Sequence, residues 1–96
     1  MPRREQFEAY LLNNGMDAME TANVLLTLEK KLHPMLNVDT GKLFQSVYDV
    51  GFQDVLRFVM RYGMILTKDR RNAITLYSTF LSERNKERNG KQKIKI

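Results

Sequence analysis

Apolar positions recur at steps of three and four along most of this chain, the period of helices that bury one side. Ala73, Ile74, Tyr77, Phe80 and Leu81 predict a helix from about Lys68 to Arg84 or beyond, with Thr67 ahead of it as N-cap. Thr21, Val24, Leu25, Leu28 and Leu32 predict another. It is opened by Asp17 with Glu20 three residues on, an acid-x-x-Glu spacing related to the capping box. His33-Pro34 should close it, because the residue before proline is biased out of the helical region. Phe7, Tyr10 and Leu11 share a face of a first helix from Pro2 to Asn13, ended by Asn14-Gly15. Arg4 and Glu8 should pair on its outside. In between, Asp39 is expected to cap a short helix carrying Leu43, Phe44, Val47 and Tyr48, with Val38 packing on Leu43. Phe52, Val55, Leu56 and Val59 mark a further helix, with Tyr62 near its end and Gly63 as its cap, and Met64-Ile65-Leu66 should tuck into the core. No strand of ordinary length stands out in residues 1–85. The expectation is all-α: a compact bundle of four to five short helices over residues 1–85. A flexible basic tail, residues 86–96, should follow, with Gly90 breaking any helix and the final KIKI alternating as a strand does.

Composition narrows the classes. Ninety-six residues with 43% hydrophobic and 28% charged positions suit one soluble globular domain. No apolar run approaches the roughly 20 residues that span a bilayer, and the charged opening MPRREQFEAY lacks the apolar core of a signal peptide. The absence of cysteine excludes a disulfide framework and a thiolate zinc site, and fits a cytoplasmic setting.

Charge changes the picture further. Residues 1–56 hold five Lys/Arg against eight Asp/Glu, a balance of −3, while residues 57–96 hold eleven against three, a balance of +8. Such asymmetry is that of a body presenting one surface to a polyanion. Lys68, Arg70 and Arg71 fill the first turn of the last predicted helix, with Asp69 offsetting only part of their charge. A helix start already carries about half a positive charge, so cations there are unfavourable unless an anion arrives. Arg57 and Arg61 lie one turn apart on the preceding helix, where cations near its end also satisfy that helix's own dipole. Arg71, Thr75, Ser78 and Ser82 fall in line on the last helix, hydroxyls that donate to phosphates but also occur on ordinary helix surfaces. Lys86, Arg88 and Lys91 extend the positive charge into the tail. The candidate DNA-binding residues are therefore Arg57, Arg61, Lys68, Arg70, Arg71, Thr75, Lys86, Arg88 and Lys91.

Catalytic chemistry has little to draw on. His33 is the single histidine and reads as a surface loop residue beside Pro34. No matched set of metal ligands, glycine-rich phosphate loop or carboxylate pair stands out, so no enzyme activity, cofactor, metal or small-molecule substrate is expected. The six methionines read as gap-fillers of a small core.

The helix order, with Phe7-Glu8-Ala9-Tyr10-Leu11, Gly15-Met16-Asp17, Thr21-Ala22 and Asn72 to Leu81, resembles the SAM-like core-binding domain of tyrosine recombinases, the phage integrase family. In that family a first helix of F-x-x-Y-L kind leads through a Gly-apolar-Ser turn into a helix opening near a Thr. A helix of A-L-x-x-Y-x-x-F-L kind closes the domain. Here the turn serine is Asp17, Thr21 lies one residue late, and the aromatic four residues after the Thr is Leu25. The resemblance implies a DNA clamp of a phage or mobile element, active in DNA recombination, without the separate catalytic domain. The expected function is a non-catalytic module gripping the backbone of double-stranded DNA. The alternative is a protein–protein interaction domain of a phage or mobile-element regulator that masks a partner. A membrane-surface role is disfavoured, since no predicted helix pairs a basic face with a large exposed apolar one.

Overall fold

The last helix is the longest and carries the middle of the core. A computed structural model describes the backbone of residues 2–94 and the side chains of residues 2–86. In chain order it has α1 (Arg3–Asn13), α2 (Ala18–Thr27), a π turn (Leu28–Leu32), α3 (His33–Thr40), a 3-10 turn (Val47–Asp49), α4 (Phe52–Tyr62) and α5 (Lys68–Ile94). The backbone stays right-handed helical from α2 through the π turn into α3. Counting that continuous stretch as one, the described residues form an all-α globule of four helices.

The three predicted apolar stripes on α1, α2 and α5 converge. Phe7 and Leu11 of α1, Val24 and Leu25 of α2, and Ala73, Ile74, Tyr77, Phe80 and Leu81 of α5 are all buried. Phe7 meets the Tyr77 ring edge-on at 5.2 Å, and Tyr48 of the 3-10 turn meets Tyr77 edge-on at 5.8 Å. Edge-to-face pairs add about 0.5–1.5 kcal/mol each beyond their buried area. Tyr77 also donates its hydroxyl to the Tyr48 carbonyl at 3.3 Å. Burial raises the Tyr77 hydroxyl above its ordinary pKa, and burial, then the hydrogen bond to Glu29, does the same for Tyr48.

Local chemistry explains the joints. After α1, Gly15 takes φ +91°, Gly15 N–H bonds Leu12 O and Met16 N–H bonds Leu11 O, the paired bonds of a Schellman end. Met16 then packs on the core, the apolar contact that accompanies this motif. Asp17 Oδ1 accepts from Glu20 N–H at 2.7 Å and opens α2 as expected. Gly63 ends α4 with right-handed backbone, and a Cβ there would lie 2.5 Å from Val59 O, so its small size is what counts.

Several expectations are corrected. The α2 helix does not stop at His33-Pro34. The preceding turn widens, with His33 N–H bonding Leu28 O five residues back, and the chain continues helically to Thr40. Proline lacks an N–H and crowds the carbonyl four residues before it, and a π turn relieves that crowding without ending the helix. Asp39 accordingly sits in the last turn of α3 and caps nothing; Gly41, at φ 70°, ends the helix there. Leu43 is 93% exposed and Val38 is exposed too, so no staple forms. Phe44 N–H instead bonds Asn37 Oδ1, which folds the loop back on α3. His33 is half-buried within the helix, its Nε2–H donating to Phe44 O at 2.6 Å. Arg4 pairs with Glu29 across helices at 3.2 Å rather than with Glu8. On α4 the fully buried residues are Val55 and Phe58, and Phe58 was missing from the expected stripe. Of Met64-Ile65-Leu66 only Leu66 is buried.

The end of α5 also differs. Its helical backbone runs through Gly90 to Ile94, past the expected break. A glycine within a helix costs about 1 kcal/mol relative to alanine, and its neighbours Lys86, Glu87, Arg88, Lys91 and Gln92 are good helix formers. Lys93 and Ile94, half of KIKI, belong to α5, while Lys95 and Ile96 lie outside the described residues.

Candidate nucleic-acid interface

The start of α5 brings the cations of the first turn to the protein surface. Thr67 O accepts from Arg71 N–H at 2.9 Å, so the first intrahelical bond begins at the expected cap. The three N–H groups before it, on Lys68, Asp69 and Arg70, have no intrahelical acceptor. Lys68 and Arg71 are exposed, and Arg70 is half-buried with Nη1 3.9 Å from Met35 Sδ on α3. Arg71 Nη2–H donates to Leu66 O at 3.1 Å, which holds its guanidinium over the helix start. None of the three forms an ion pair among the described residues, so their charge is uncompensated by a contacting carboxylate.

Packing adds two cations that the pattern of the chain did not single out. An open groove of about 650 Å³ separates α2 from the start of α5. Lys30 and Lys31 line it from the π turn, and Asp69 and Asn72 from α5. Both lysines are exposed and unpaired among the described residues. Glu20 and Asp69 in the same groove moderate the field without pairing. The signal available in the sequence was only Lys30-Lys31 on the outer side of an amphipathic helix, a position that ordinarily marks a solvated face.

The α4 arginines are placed differently. Arg61 Nη1 lies 2.7 Å from Asp39 Oδ1, and this bond, foremost as a hydrogen bond, raises the already high pKa of the guanidinium. Arg57 lies 3.6 Å from Asp54 Oδ1, and Lys42 approaches the same carboxylate at 3.9 Å. Because Arg70 and Arg61 reach α3 at Met35 and Asp39, one helical turn apart, the two basic groups are neighbours across α3.

The remaining candidates are spread out. Thr75 is exposed, and its carbonyl accepts from the Thr79 hydroxyl at 3.0 Å, while Ser78 and Ser82 are half-buried. Lys86 is exposed; the side chains of Arg88 and Lys91 lie outside the described ones. Thr21, the threonine of the family resemblance, is buried with its hydroxyl unpaired, so it faces the core and not a phosphate. Among the described residues no helix is long and apolar enough to cross a membrane, and no three His, Cys, Asp or Glu side chains gather. Comparison with protein-family models, with curated proteins and with solved structures yields no match to this chain.

Proposed function

We propose that this chain is a non-catalytic DNA-binding module that grips the phosphate backbone of duplex DNA at the start of α5. The observation that carries this reading is the placing of Lys68, Arg70 and Arg71 on an N-terminal helix turn, unpaired among the described residues, with Lys30 and Lys31 across the groove. The three first-turn cations meet the open N–H groups and the dipole of α5, and Lys30 and Lys31 add positive charge from the far wall of the groove, an arrangement that favours a polyanion. Backbone contacts of this kind position a protein without reading sequence. Thr75 adds a neutral donor further along α5, and the positive charge of residues 86–96 lengthens the footprint.

The resemblance to recombinase core-binding domains points the same way, as a clamp without strand-cleaving chemistry. Its residues Phe7, Leu11, Ala73, Ile74, Tyr77, Phe80 and Leu81 are all core. Such positions speak for packing first, so the cation placement supports the DNA reading more directly. The test is fluorescence anisotropy with a labelled duplex across a salt series, comparing residues 1–96, residues 1–85 and the Lys68→Glu/Arg71→Glu variant. The reading expects the truncated body to retain a clear salt slope, and the variant to bind weakly with a shallower slope. Binding that disappears with the tail alone would overturn it.

A further inference from the structure

The outer side of α4 is built differently from the DNA candidate site, and nothing in the preceding reading uses it. Val55 and Phe58 turn inward, whereas Gln53, Leu56, Arg57, Met60 and Arg61 line an open groove of about 420 Å³ along the opposite side. These residues follow the i, i+3, i+4, i+7, i+8 spacing of one helix face. Leu56, Met60 and Met64 succeed one another at four-residue steps; Met60 is 77% exposed, and Met64 and Ile65 beyond the helix end are exposed as well. Isolated surface methionines are ordinary, but a continuous apolar line edged by charge marks a contact surface.

The charges beside that line determine what fits it. Arg57 and Arg61 side chains are 60% and 53% exposed, while the carboxylates they hold, on Asp54 and Asp39, are 20% and 4% exposed. The face therefore shows guanidinium outward and hides its carboxylate beneath. Both arginines are already held in place, which lowers the ordering cost of using them again. Methionine side chains adapt to varied apolar partners.

We propose that the outer face of α4 docks an amphipathic helix of a partner protein whose apolar side chains are edged by Asp or Glu. A helix laid along α4 meets Leu56, Met60 and Met64 with its apolar stripe and brings its acidic edge to Arg57 and Arg61. A DNA backbone has no apolar surface to cover the methionines. A second copy of the same face would set guanidinium against guanidinium, since its own carboxylates are covered. The proposal stands apart from the DNA reading, because it uses none of Lys30, Lys31, Lys68, Arg70 or Arg71.

The experiment uses the full chain and two synthetic helical peptides with one identical Leu/Met stripe, edged by Glu in one and by Lys in the other. Anisotropy measures their affinity, and methyl NMR of the methionines locates the contact. The Glu-edged peptide should bind about 10-fold more tightly than the Lys-edged one and shift the Met60 and Met64 methyl signals. Met60→Glu, at an exposed site, should weaken binding about 10-fold, and Arg57→Gln should weaken it less. Lys68→Glu/Arg71→Glu should leave it unchanged, which separates this surface from the DNA candidate. Equal affinity for the two peptides, no binding up to about 1 mM, or binding indifferent to Met60→Glu overturns the proposal. Sedimentation showing self-association that Met60→Glu abolishes overturns it too, and gives the face to a second copy.

Discussion

Arg61 on α4 and Arg71 on α5 carry the same charge ten residues apart, yet the fold uses them in opposite ways. Arg61 ties one edge of its half-exposed guanidinium to Asp39, a carboxylate that is almost wholly covered. Among the described residues the Arg71 guanidinium bonds a carbonyl, Leu66 O, and no carboxylate, so its charge is left uncompensated. The Arg61–Asp39 pair closes the seam between α3 and α4, while the α5 cations, and Lys30 and Lys31 across the groove, are left without carboxylate partners among the described residues. Counting cations along a sequence measures charge; their availability depends on which carboxylates packing brings to them.

The strongest way to break this comparison is charge reversal on the α5 side. Lys30→Glu/Lys31→Glu combined with Lys68→Glu/Arg71→Glu should lower duplex affinity on the order of 100-fold at moderate salt, since each lost phosphate contact removes nearly one unit of salt slope. Circular dichroism should show an intact helical fold, because all four side chains are exposed. An unchanged affinity would mean that these cations are not the contact.

Raising the pH tests the aromatic centre of the fold that carries both regions. The Tyr48 and Tyr77 hydroxyls titrate above the ordinary value near 10, because burial favours their neutral form. Their contribution is complete below that pH. It is lost as pH rises through the raised folded values, at about 1.4 kcal/mol per pH unit for each group while the unfolded chain alone is ionised. Denaturant melts from pH 8 to 11 should show the loss, and Tyr48→Phe should reduce its slope.

Asp39→Ala sharpens the contrast from the other side. Removing a covered acceptor of a charged hydrogen bond should cost about 1–2 kcal/mol of stability while leaving DNA affinity unweakened. A fall in affinity larger than the loss of folded protein would place Arg61 in the DNA contact and erase the distinction.

Thr21→Val provides the matching control. The Thr21 hydroxyl is buried without a partner, so the apolar isostere should raise stability by about 1 kcal/mol and leave affinity for duplex unchanged. The smallest effect is expected for Arg57→Gln, less than about 3-fold on DNA affinity, because one exposed cation outside the contact contributes little.

How much of this was legible beforehand differs by region. The stripes on α1, α2 and α5 were readable because a three-to-four-residue apolar period has one low-energy outcome, burial of that side. Asp17 and Gly15 were readable because capping and left-handed geometry are local chemistry. Residues 33–51 were misread for the same reason in reverse. His33-Pro34 is a stop signal locally, but the helix gains more by carrying Leu36 into the core and widening one turn than by ending. Once α3 ran on to Gly41, Asp39 became a seam residue and Leu43 was left in solvent.

The candidate site divides along the same line. That α5 begins with three cations on a helix dipole, and that its inner stripe is core, follows from residues read in order along the chain. Packing alone brings Asp39 to Arg61, sets Lys30 and Lys31 across a groove from Asp69 and Asn72, and turns Thr21 inward, whereas Asp54 holds Arg57 from three residues away on the same helix. Helix period and capping act within a few residues of chain, so they are written in order along it. The Arg61–Asp39 pair and the groove between Lys30 and Asp69 join residues about twenty to forty positions apart, and those meet only when whole helices pack.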